Sequence, residues 1–132
     1  MPHSRSLSGI AFSLSLSLAS VAASAQDAMQ SDSSFPAVGH VYDVQFSGRQ
    51  FRLNFDHNGK EMTLTRPDGS GDTVQYTAIE IRPNLYMVYW TEPKSGSRVT
   101  HVEDFERGIV YANSARKDGQ FTHDKGALTE LE

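Results

Sequence analysis

One strand of this chain ends at Trp90-Thr91-Glu92-Pro93, where a large aromatic and a carboxylate stand two residues apart. Strict alternation puts Tyr86, Val88, Trp90 and Glu92 on one face of that strand, and Leu85, Met87 and Tyr89 on the other. If the first face looks inward, Glu92 is a partly desolvated acid, and burial moves a carboxyl group toward the protonation range useful for proton transfer. It reads equally as a ligand-binding acceptor, or as a solvated turn residue before Pro93. Trp90 reads as a core residue closing the end of the fold, or as an apolar wall with one N–H to offer a guest. On the returning strand, Arg98 and His101 have opposite parity, so at most one of them reaches an interior. Imidazole titrates near neutrality, which makes His101 an acid/base candidate unless it lies on an outer face. Tyr42, on an earlier strand with His40 on the same face, supplies a phenol or simply an edge of core.

The candidate ligand-binding set is therefore Tyr42, Tyr86, Trp90, Glu92, Arg98 and His101, with Glu92 as the catalytic group if there is turnover. His40, His57, His101 and His123 are well separated, with no helix or hairpin ligand spacing, so no metal is expected. The absence of cysteine excludes thiolate sites, thiol catalysis and disulfides. No phosphate-cradling glycine loop and no Ser/His/Asp nucleophile motif is present, and no cofactor is expected.

These side chains must be positioned by strands. Val38, His40, Tyr42, Val44 and Phe46 alternate; so do Phe51, Leu53 and Phe55, then Met62 and Leu64. Asn58-Gly59 between the second and third runs favours a tight hairpin, and "RPDGSGD" at residues 66–72 is a second turn cluster. "TVQYTAIEI" starts with Val74 and Tyr76 inward and then shifts parity to Ile79 and Ile81, which predicts a bulge near Thr77-Ala78. "LYMVYW" is apolar on both faces. "SRVTHVEDF" returns, with Glu103, Asp104 and Glu106 read as a solvent-facing charged run. "IVYANSA" and "QFTH" follow, and Leu128 and Leu131 in the tail fit a last strand or a short helix. No segment carries an apolar period of helical spacing over three turns. About eight short strands joined by tight turns predict an all-β fold: a single antiparallel up-and-down barrel, lipocalin- or calycin-like, with no exposed edge.

The first residues read differently. Arg5, the uncharged run "IAFSLSLSLASVAA" and the small residues Ala23-Ser24-Ala25 have the pattern of a secretory signal peptide over 1–25, cut after Ala25, and place the protein in a periplasm or outside the cell. The alternative is a short N-terminal helix; the run is too short and serine-rich for a membrane span. Cleavage leaves 107 residues with 11 basic and 16 acidic side chains, a formal charge of −5. An acidic chain without a basic run argues against nucleic acid or anionic lipid as the partner, and no membrane insertion is expected after signal removal. Residues 26–36 are polar and without period, a flexible leader to a single domain at 37–132.

"VGHVYDVQFSGRQFRLNF" and "LYMVYWTEPKSGSRVTHVEDF" resemble the MoaF-like family of small lipocalin-type barrels, through Gly39, Trp90-Thr91-Glu92 and Asp104-Phe105 in that order. The Trp-Thr-Glu-Pro corner is also similar to the cofactor-free phenolic acid decarboxylases. That resemblance would make Glu92 the proton-handling residue of a barrel cavity. The same family's two substrate-gripping tyrosines fall at Val44 and Phe46, and its arginine falls in "DGSGD" with only Arg66 nearby.

Three functions follow as expectations. The first is an exported barrel binding a small, partly apolar or aromatic molecule near Trp90 and Glu92. The second is a cofactor-independent lyase or isomerase with Glu92 as acid/base, which needs a second convergent polar group. The third is a protein-interaction or inhibitor module, which needs a solidly packed barrel and acts through loops such as "RPDGSGD".

Overall fold

The structure is a computed structural model and describes residues 29–132; the signal peptide expected at 1–25 lies outside the described residues. Eight antiparallel strands, β1 (Val41–Phe46), β2 (Arg49–Phe55), β3 (Glu61–Thr65), β4 (Gly71–Arg82), β5 (Leu85–Thr91), β6 (Arg98–Asp104), β7 (Ile109–Ala115) and β8 (Phe121–Glu130), follow one another around a closed barrel. β8 returns to β1 through Tyr42↔Glu130, Val44↔Leu128 and their neighbours, so the sheet closes without a terminal edge strand. The tail is thus strand, and Leu128 is core while Leu131 is exposed. Closure there depends on a missing side chain. A Cβ on Gly126 would stand 2.3 Å from the Gln45 carbonyl oxygen, so only glycine lets β8 lie this close to β1.

The turns are built by short polar side chains that bind backbone amides. Asn58 Oδ1 accepts from Lys60 N–H at 2.8 Å, Asp118 Oδ1 from Gln120 N–H at 3.0 Å, and Asp68 Oδ1 from Ser70 N–H at 2.9 Å. The Ser70 hydroxyl and amide hold the Asp68 carboxyl below its usual range. Asp104 does the same after β6, accepting from Glu106 and Arg107 amides at 3.1 and 2.9 Å. That corrects its reading as part of a solvent-facing run: its side chain is buried because the turn wraps it.

Inward positions follow the alternation of the sequence: Tyr42, Val44, Phe46, Leu53, Phe55, Met62, Leu64, Val74, Tyr76, Tyr86, Val88 and Trp90 are all buried. The bulge of β4 lies at Glu80/Arg82, four residues beyond the predicted place. Val74, Tyr76 and Ala78 keep one parity to that point, Ile79 is half-buried, and Ile81 is exposed on the outer face. Two outward isoleucines had imitated a change of face.

Part of the segment expected as a flexible leader is packed. β3 is short and leaves the second half of β4 unpaired on one side. Asp32 N–H donates to Ala78 O at 2.8 Å, Ala78 N–H donates to Ser31 Oγ at 2.9 Å, and Glu80 N–H donates to Asp32 Oδ2 at 2.6 Å. Those bonds satisfy backbone groups that would otherwise lack partners. Phe35 is thereby swung under the barrel, only 3% exposed. Its ring meets Phe55, Tyr76, Tyr86 and Phe105 at centroid distances of 5.2–5.7 Å, three of the four edge-on. One end of the barrel is closed by this aromatic cluster. The other end carries the β1–β2, β3–β4, β5–β6 and β7–β8 turns.

Candidate functional site

The turn-rich end is open. A cavity of about 610 Å³ enters it, within the usual size for a small-molecule site. Its inner wall is apolar and aromatic, formed by Phe51, Leu53, Leu64, Trp90, Val99 and Ala112, with His101 among them. Its rim carries Arg49, Arg66 and Arg116 beside Asp68, Glu92 and Asp124, equal numbers of each sign.

Three of the six candidate residues meet here: Trp90, Glu92 and His101. Trp90 is buried against the His101 ring at a centroid distance of 4.7 Å, edge to face, and its Nε1–H finds no acceptor among the described residues. Trp90 is thus a core residue that also lines the cavity; the end that is closed is the opposite one, under Phe35. Glu92 stands at the mouth, half-buried, and its Oε2 accepts from Ser95 Oγ at 2.9 Å. Tyr42 and Tyr86 face inward as parity required, but at the closed end: Tyr86 donates its hydroxyl to Ser34 at 2.9 Å, and Tyr42 stacks edge-on against Phe105 at 5.3 Å. Arg98 is exposed on the outer face, away from the cavity.

Sequence reasoning missed the most buried polar group. Glu103, read as solvent-facing, has no exposed surface, and its Oε1 lies 3.1 Å from His101 Nδ1. Its Oε2 has no hydrogen-bond partner among the described residues. The signal was available, because Val99, His101 and Glu103 share one parity on β6 and the first is apolar. The rim arginines were also missed, apart from Arg66. Arg49 pairs with Asp124 and lies 5.8 Å over the Phe46 ring. Arg66 reaches Asp72 at 3.5 Å, as does Lys94 at 3.1 Å. The Lys94 ammonium, and after it the Arg66 guanidinium, overcome burial and hold the Asp72 carboxyl below its usual range. Among the described residues no three His, Cys, Asp or Glu side chains converge as a metal site would need.

Beneath the cavity, two phenols are kept neutral. Burial, then the Glu103 carboxylate, push Tyr76 up to about 12; burial, then Glu130 and Glu103, do the same to Tyr42. A phenol whose folded pKa lies above its unfolded value, about 10, contributes stability that is complete below the unfolded value. That contribution is lost as pH rises through the folded one. The melting temperature should accordingly fall between pH about 10 and about 12. A Tyr42→Phe/Tyr76→Phe double variant should fall less steeply over that window in the same thermal melts; an equal slope would refute the assignment.

The family model for MoaF-like proteins matches residues 38–129, which take in all eight strands but for the last residue of β8. No curated protein matches the chain. Among solved structures, a crystal structure described as a "putative beta-lactamase" from Burkholderia vietnamiensis superposes with a TM-score of 0.70. It is 21% identical over 78% of this chain and 100% of its own, a likeness that shows the fold alone. With the family model covering well over half its length, the chain belongs to the MoaF-like family.

Proposed function

We propose that this barrel is an exported binding protein for a small, partly apolar molecule, seated in the open-end cavity against Trp90 and His101. The observation that carries the reading is the cavity itself. The opening is lined from within by Leu53, Leu64, Trp90, Val99, His101 and Ala112, inward side chains that a barrel packed solid to its rim, as a loop-acting interaction module would have, would cover. An apolar wall supplies affinity, and a few polar groups set orientation. The lyase reading built on Glu92 is less favoured, because that carboxylate sits at the mouth on Ser95 rather than deep in the cavity.

Export rests on the pattern of residues 1–25, and cutting after Ala25 spares Ser31, Asp32 and Phe35, which the closed end needs. Both parts are read by one experiment, native mass spectrometry of the protein purified from its own host. The mature chain should begin at Gln26 and carry a small-molecule mass lost on denaturation. An uncut chain would contradict export, and a bare mass under gentle conditions would contradict the binding reading.

A further inference from the structure

We propose that His101 and Glu103 form an acid–base pair that moves a proton on a small aryl 2-oxo acid held in the cavity. The proposal rests on the cavity being a small-molecule site, and goes beyond it by assigning chemistry.

Four observations converge. His101 lines the cavity, while Glu103 lies behind it, fully buried and outside the lining. The 3.1 Å contact engages Nδ1, so Nδ1–H donates to the carboxylate and Nε2 is the ring nitrogen left to act as base. No Lys or Arg is paired with Glu103 among the described residues, and its Oε2 has no partner, so the cation that this buried carboxylate faces is the imidazolium that forms on proton transfer. The phenols of Tyr42 and Tyr76, two of the titratable groups near it, are held neutral, and Tyr86, its cross-strand partner, is another phenol. A buried charge with so little compensation is costly, and such costs are retained where chemistry needs them.

The substrate class follows from the rest of the cavity. Trp90 and Phe51 suit an aryl ring. Arg49, Arg66 and Arg116 at the rim are each paired with an aspartate, Asp124, Asp72 and Asp118, and share the rim with Asp68 and Glu92; a guanidinium paired once still has free N–H donors for a substrate carboxylate. Between ring and carboxylate such a molecule carries a C–H made acidic by its carbonyl. His101 Nε2 takes that proton, the C–H pair becomes the C=C bond of the enolate, and the carbonyl pair moves to oxygen. The imidazolium, held by Glu103, then returns the proton to oxygen to give the enol. Atoms and electrons balance without a co-reactant. His101 is the catalytic residue and Glu103 its positioning residue.

The test uses phenylpyruvate in D₂O with the mature protein, following loss of the benzylic C–H signal by NMR while Trp90 emission reports binding. Wild type should bind and accelerate exchange. His101→Gln should lose at least about 100-fold of that rate while still binding. Glu103→Gln, close to isosteric, should lower kcat about tenfold or more with KM little changed, and Glu103→Asp should recover part of the loss. Thermal melts establish that each variant is folded. Binding without exchange, or exchange unaltered in folded His101→Gln, overturns the proposal and leaves the binding reading standing. No Trp90 response and no exchange overturns the proposal together with the binding reading for this class of molecule.

Discussion

Phe35→Ala should destabilise the domain by about 3–5 kcal/mol, the cost of removing a fully buried aromatic whose site cannot collapse. Phe35 comes from a polar segment outside the barrel, yet it contacts four aromatic rings supplied by β2, β4, β5 and the β6–β7 turn. Barrel strands hold those rings apart, so truncation leaves a void rather than a repacked core. For a domain of this size the melting temperature should fall by well over about 10 °C. Phe35→Leu, which keeps most of the volume, should cost less than half as much. The cavity lies at the opposite end and should keep its affinity in the surviving folded fraction. A loss below about 1 kcal/mol on Phe35→Ala would mean that Ser31–Phe35 does not cap the barrel in solution.

The largest functional effect is expected from Ala112→Phe. Ala112 lines the cavity directly across the β6–β7 ladder from His101, so a phenyl ring there projects into the space a guest would fill. Overpacking a filled core is destabilising, but here the added ring enters open volume, so the fold should tolerate it within about 1 kcal/mol. Binding should weaken at least about 100-fold, equivalent to about 2.7 kcal/mol, because ring and guest exclude each other. Stability and binding thus separate in this variant, whereas a core defect would lower both.

The barrel was legible because two signals agree along the chain: period-two alternation and Asn, Asp and Gly at the turns. Parity reported which side chains share a face, and did so for Trp90, Tyr42 and Tyr86; for His101 it said only that Arg98 takes the other face. It carries no information on depth along the barrel axis. For that reason Tyr42 and Tyr86 were grouped with Trp90, although they line the other end. Phe35 was illegible because a single aromatic in a polar run has no period; its burial comes from backbone bonds to Ala78 and Glu80 that only the short β3 makes necessary. Glu103 was misread because composition outweighed parity: three acids in four residues look solvated, yet the barrel turns the first inward, wraps the second in a turn and leaves only Glu106 outside. Arg49 and Arg116 were missed because rim residues gather from strand ends and turns far apart in sequence.

A guest held in the open end against Trp90 is directly measurable, because Trp90 is the chain's single tryptophan. Protein purified from its own host is unfolded in guanidinium, dialysed to remove small molecules and refolded, and its Trp90 emission is compared with that of the untreated protein. The stripped wild type should emit at longer wavelength, as water enters the cavity, and recover when the removed small-molecule fraction is returned. Ala112→Phe should show neither change. Identical spectra before and after stripping, or equal recovery in wild type and Ala112→Phe, would contradict a guest held there.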